Sequence, residues 1–232
     1  MMLGPADTAV IEAAIADAEA RTAGEIYCIV TPESGAYGET PLAWAAGVAL
    51  LGPALLLLGA GHLRVPELFG SWSAAQAGEA AERAARQALM GAVVVQAALF
   101  VATLAIVAIA PVRRALTPRA FKRERVRRRA LEQFAAKSLH LTRERTGVLI
   151  FVSFAERMAE LIADEGVASH VAPHVWDRAM AAAVAGLRQG RAGEGVAQAV
   201  ALCGEVLAEH FPASPGDNPD QLPNTVVVLP RP

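Results

Sequence analysis

Two runs near the middle of the chain decide how the rest is read: PLAWAAGVALLGPALLLLGAGHL, residues 41–63, and QALMGAVVVQAALFVATLAIVAIAPV, residues 87–112. Neither contains Asp, Glu, Lys or Arg. Each is long enough, as a helix, to cross a hydrocarbon core of roughly 30 Å, so together they predict a two-helix transmembrane hairpin. Immediately after the second run come Arg113, Arg114, Arg119, Lys122, Arg123, Arg125, Arg127, Arg128 and Arg129. Basic residues beside a span are retained on the cytoplasmic side. A two-pass protein of the inner (cytoplasmic) membrane is therefore expected, with both termini and the soluble domain in the cytoplasm. Trp44 fits an interfacial anchor, Gly52 and Pro53 should kink the first span, and Phe69 and Trp72 fit the opposite interface. Between the spans, Ser73 with Gln76 has the pattern of a capping box, and Glu79 with Arg83 and Glu82 with Arg86 are spaced as ion pairs on a helix.

The 232 residues are 54% hydrophobic and 19% charged, a balance that suits one modest soluble domain carrying a membrane anchor. The net charge of -2 conceals an asymmetry. Residues 113–129 hold nine of the 21 basic residues and a single acid, Glu124, leaving 12 basic and 22 acidic residues elsewhere. A basic block that starts at the end of an apolar span is a topology signal and attracts anionic lipid headgroups. Nucleic acid is not expected as a partner, because this helix lacks the aromatic and polar side chains that would read it. Cys28 and Cys203 form no Cys-x-x-Cys pattern and read as small buried apolar residues of a reducing compartment. No basic segment followed by an apolar core marks a cleavable signal at the N-terminus.

Outside the two spans, periodicity predicts a first helix from Asp7 to Thr22, then a strand Glu25–Thr31 whose unbroken apolar centre implies cover on both faces. Thr117 and Pro118 open a helix running to about Leu141. Val148–Val152 is a second doubly covered strand, and Met158–Ala163, interrupted by Glu160, is a third nearer an edge. Helices over Pro173–Arg188 and Glu194–His210, separated by Gly190 and Gly193, precede a last strand at Thr225–Leu229. Few strands among longer helices predict a small α/β sandwich, with residues 1–40 and 113–232 forming one domain around the inserted hairpin at 41–112.

Several of these segments share a pattern. Thr22-Ala23-Gly24-Glu25-Ile26 opens the first strand. Thr146-Gly147-Val148-Leu149-Ile150-Phe151-Val152-Ser153 is followed by Glu156-Arg157, and Ile162-Ala163-Asp164-Glu165-Gly166 closes the third strand. With Trp176 and Leu222-Pro223-Asn224, the order resembles the TPM domain family in its bacterial membrane-anchored variant. The resemblance covers nearly all of the chain outside the hairpin and implies a small three-layer α/β sandwich with the two-helix insertion after the first strand. It also implies a background of acid phosphatase activity in the thylakoid lumen, divalent-cation sites, and maintenance or assembly of membrane complexes. The chain departs from the family pattern in two ways: family members commonly have their soluble domain outside the cytoplasm, where the arginine block here argues the reverse, and Asp164-Glu165-Gly166 stands where a glycine-rich turn is usual.

Asp164 and Glu165 follow the third strand, and ligands of α/β sheets gather at strand carboxyl ends. Two adjacent carboxylates can offer oxygens to a hard cation, Ca²⁺ or Mg²⁺, with Glu33 and Ser153 beyond the other strands able to complete the set. The alternative is that Asp164 caps the turn and Glu165 faces water. Ser153, Glu156 and Arg157 are candidate substrate contacts, or else a local polar turn. His170, His174 and Asp177 have a metal-like spacing that Pro173 disrupts, and Asp217, Asn218 and Asp220 lack the rest of a calcium loop. No phosphate-binding glycine loop or nucleophile elbow is present. Two functions are therefore expected to compete: a membrane-anchored module that binds, assembles or maintains an integral membrane protein complex, and a divalent-metal-dependent phosphatase.

Overall fold

The computed structural model describes residues 3–60, 74–137, 145–213 and 223–231. The chain falls into two compact units, one of Met1–Ala36 with Arg119–Pro232 and one of Tyr37–Pro118.

The first unit is built on a sheet in the order β3-β2-β1-β4, from β1 (Glu25–Thr31), β2 (Gly147–Ser153), β3 (Met158–Ala163) and β4 (Val227–Val228). β1 runs parallel to β2 in the register Glu25 to Gly147 through Thr31 to Ser153, and β3 returns antiparallel along β2. All residues of β1 and β2 are buried, as their continuous apolar runs require. Because side chains alternate across a strand, the sheet has two distinct faces. Ile26, Cys28, Val30, Val148, Ile150 and Val152 meet α1 (Pro5–Glu19), α7 (Asp177–Gln189) and α8 (Ala192–His210). Tyr27, Ile29, Leu149 and Phe151 pack with Val126 and Ala130 of α5 (Arg119–Ala136). A short helix, α6 (Glu165–Ala168), and a 3₁₀ turn at Pro173–Trp176 lead from β3 into α7.

The element boundaries differ from the sequence expectation in ways that have local causes. α1 starts two residues early, with Gly4 as its cap and Asp7 reaching back to accept the Gly4 N–H at 2.9 Å. β4 is shorter than Thr225–Leu229 because only Val227 and Val228 find partners, on Ile29 and Val30. Pro173 heads the 3₁₀ turn, not α7 itself.

The second unit is helical: α2 (Glu39–Ala60), α3 (Ala74–Ala108) and α4 (Ala110–Leu116). Gly52 lets α2 close on Leu99 of α3, where a Cβ would stand 3.2 Å from Leu99 Cδ1. At the ends of the unit the Thr40 and Thr117 hydroxyls meet at 3.0 Å, and Trp44 Nε1 donates to the Leu116 carbonyl at 3.4 Å. Large apolar side chains on both long helices are exposed, among them Leu50, Leu55, Leu89, Val94 and Val101.

The expected architecture, a small three-layer α/β sandwich with a two-helix transmembrane hairpin, is corrected. The protein is predominantly helical, with one four-stranded mixed sheet. Among the described residues, a single stretch, Ala80–Ala108, is long and apolar enough to cross a membrane. The run at 41–63 begins inside a helix that starts at Glu39 and contains Pro53, and its last three residues lie outside the described part of the chain. The run at 87–112, by contrast, is not one helix. It breaks at Ile109, whose extended backbone (φ -65, ψ 121) caps α4 ahead of Pro111. The expected features at Phe69, Trp72 and Ser73 lie outside the described residues.

Candidate functional site

Where β1 and β2 end side by side at Thr31 and Ser153, the chain draws two loops into one polar cluster. The turn after β2 folds back on the loop after β1: Phe154 N–H donates to Thr31 O and Ala155 N–H to Pro32 O, both at 3.0 Å. Arg157 N–H closes the β2–β3 turn on Phe154 O at 3.2 Å, with Arg157 itself left-handed at φ 52. This turn aims Glu156 back at the strand ends. Its carboxylate accepts the Ser34 N–H at 3.2 and 3.3 Å and the Ser153 hydroxyl, while Ser34 Oγ lies 2.8 Å from Ser153 Oγ. Ser153 and Ser34 are buried, so the carboxylate satisfies groups that water does not reach. Beside Ser34 in the chain, Glu33 keeps one carboxylate oxygen, Oε1, buried without a hydrogen-bond partner, while its carbonyl accepts from the Thr31 hydroxyl at 2.9 Å.

The expected metal set is divided between the two ends of the sheet. Because β3 is antiparallel to β2, its carboxyl end at Ala163 lies beside Val148, the amino end of β2. Asp164 therefore donates its N–H to Gly147 O, at 2.9 Å. Gly147 is six residue steps along β2 from Ser153, about 20 Å at strand rise. Asp164 and Glu165 thus cannot share a cation with Glu33 and Ser153. Asp164 caps α6 through Oδ1, which accepts Glu165 N–H at 2.7 Å, and its Oδ2 is buried without a partner. Glu165 is exposed and pairs with Arg145. His170 packs edge-on to Phe211, with ring centroids 5.5 Å apart, and its Nδ1 faces Gly166 O. Among the described residues no group of three or more His, Cys, Asp or Glu side chains converges to hold a metal. Asp217, Asn218 and Asp220 lie outside the described residues.

The basic block is split as well. Arg113 and Arg114 stand on α4 of the helical unit, while Arg119, Lys122 and Arg123 open α5 of the sheet-bearing unit. Within the sheet-bearing unit, an open groove of about 540 Å³ lies between α5, β3 and α7. Arg119, Arg123, Arg157 and Arg188 line it together with Glu156 and Glu160. Glu160 is mostly buried and lies between two guanidinium groups, 3.5 Å from Arg123 Nε and 3.8 Å from Arg127 Nη1. Ser34, Glu160 and Arg188 are not legible as site residues in the sequence, where Glu160 reads only as an interruption of β3, since each takes its significance from a partner on another element.

No family model matches the chain, and no curated protein matches it. Among solved structures, the chain is similar to the NMR structure of the BA42 protein from the psychrophilic bacterium Bizionia argentinensis sp. nov.. The TM-score is 0.54 and the identity 18%, over 98% of this chain and 96% of that one. At that identity the likeness is one of fold alone.

Proposed function

We propose that the protein is a membrane-associated binding module of the TPM type, which helps to organise or maintain a membrane protein complex from the cytoplasmic face. The carrying observation is the Ala80–Ala108 helix, of whose most apolar window only 6% is buried. An apolar surface this continuous calls for lipid or a partner protein as its solvent. The arginines of α4 and α5 follow it in the chain, where they favour the cytoplasmic side and anionic headgroups. Glu156, held by Ser34 and Ser153, suits a site that keeps a fixed shape for a partner. After cell breakage the protein is expected in the membrane pellet and resistant to carbonate washing, with a membrane protein co-purifying in detergent. Recovery in the detergent-free supernatant would overturn membrane association, and repeated purification without companions would overturn the assembly role.

A divalent-metal-dependent phosphatase is the second proposal, favoured by the orphaned, buried carboxylate oxygen of Glu33, the residue that precedes Ser34 of the Ser34, Ser153 and Glu156 cluster. Glu33 would hold Ca²⁺ or Mg²⁺ there, and the cation would polarise a phosphoryl oxygen. Hydrolysis of a phosphate ester that depends on added metal and is lost in Glu33→Gln is the expected result. Absence of turnover with any divalent metal would remove the proposal.

A further inference from the structure

The groove between α5, β3 and α7 carries more positive charge than its neighbours neutralise. Both of its carboxylates are engaged: Glu156 by Ser34 and Ser153, Glu160 by Arg123 and Arg127. Arg119, Arg157 and Arg188 line the same groove with exposed side chains, and none of the three forms an ion pair with a carboxylate among the described residues. Three unpaired guanidinium groups around one concavity repel one another, and an anion placed between them relieves that repulsion.

We infer that this groove binds a phosphate group, with Arg119, Arg157 and Arg188 as its ligands. Guanidinium forks match the paired oxygens of phosphate better than any other side chain does. The volume, about 540 Å³, accommodates a phosphate ester with a small organic portion. Arg157 supplies an independent sign. Its backbone is left-handed, φ 52, at a turn position where Gly or Asn would be less strained. The strained backbone directs a charged side chain into the groove, and strain of this kind collects at ligand sites. Arg119, as the first residue of α5, adds the positive end of that helix to the same place.

The phosphate could belong to a lipid headgroup or to a soluble ester. The inference does not rest on membrane association, because every ligand lies within one folded unit.

The test is titration calorimetry of the full chain in a neutral detergent, with inorganic phosphate, glycerol 3-phosphate, and phosphatidic acid in mixed micelles against phosphatidylcholine. Saturable binding is expected for at least one of the first three. Arg157→Asn, which keeps the left-handed turn, and Arg188→Gln should each weaken it about tenfold, the usual size of a lost charge-assisted contact. Arg178→Gln, exposed on α7 but outside the groove, should leave it within about twofold. Much tighter binding of phosphatidic acid than of glycerol 3-phosphate assigns the site to lipid, and equal binding assigns it to a soluble ester. Failure of all three probes to saturate, or equal weakening by Arg178→Gln, overturns the inference. Unchanged circular dichroism of each variant separates lost binding from lost folding.

Discussion

Glu156 holds the ends of β1 and β2 together from a turn belonging to neither strand core, and its removal should be felt throughout the sheet-bearing unit. Glu156→Ala leaves the Ser34 N–H and the Ser153 hydroxyl without their acceptor in a buried setting. A cost of about 1–3 kcal/mol is expected, with Glu156→Gln recovering part of it, as read by denaturant midpoints. An unchanged midpoint for the alanine variant would mean that the cluster does not hold the two loops. Cys28 and Cys203 offer a second residue-scale prediction. Burial pushes both thiols from an ordinary value of 9.0 up to about 12, for Cys203 with a further contribution from Cys28 itself. The folded chain therefore keeps protons that the unfolded chain releases above pH 9. Stability conferred by the neutral thiols is complete below that value and falls as pH rises from about 9 towards 12. Denaturant midpoints should decline across that window, and less steeply in a Cys28→Ala variant. At pH 8 neither thiol should react with a disulfide reagent until the protein is denatured.

At the scale of elements, α8 is where close approach matters most. Gly195 lies so near Gly186 of α7 that a Cβ on either would stand 2.6 Å from the other's Cα. Gly204 meets α1 in the same way, with Ala18 Cβ 2.5 Å from where its own Cβ would be. Gly195→Ala and Gly204→Ala must therefore push helices apart, at an expected cost of about 1–3 kcal/mol each. Gly91→Ala on α3, with nothing within 4 Å of its added methyl, should match the parent or exceed it by about 0.5–1 kcal/mol through helix propensity. Thermal melts of the three variants test the packing, and a Gly195→Ala protein as stable as the parent would contradict it. From the sequence, Gly190 and Gly193 both read as separators between two helices. Gly190 does end α7 in the left-handed conformation, φ 75. Gly193 instead lies inside α8, where Asp7 of α1, through its side chain and its Cα, leaves no room for a side chain. A glycine chosen for its backbone freedom and one chosen for close packing look the same in a sequence.

For the whole molecule, the pairing of β1 with β2 constrains topology. The two strands exchange hydrogen bonds in one sheet, so Thr31 and Gly147 lie on the same side of any bilayer. Both chain ends must then report the same compartment. Reporter fusions before Met1 and after Arg231 are expected to agree, and to be cytoplasmic if the arginines of α4 and α5 set the orientation. Opposite signals at the two ends would contradict the sheet itself, whereas two periplasmic signals would overturn the orientation alone.

The sequence by itself determined the positions of β1, β2 and β3, the apolar character of the central helices and the location of the basic block. Each of these is carried by residues close together in the chain, through period, capping and charge. Only the tertiary structure decided which polar residues meet. β3 returns antiparallel along β2, which carries Asp164 and Glu165 about 20 Å from Ser153 and leaves Glu156 as its partner. The direction of strand pairing and the neighbours of a helix face depend on contacts between distant segments. For that reason Arg119 and Arg188 face one groove without any local pattern to announce it.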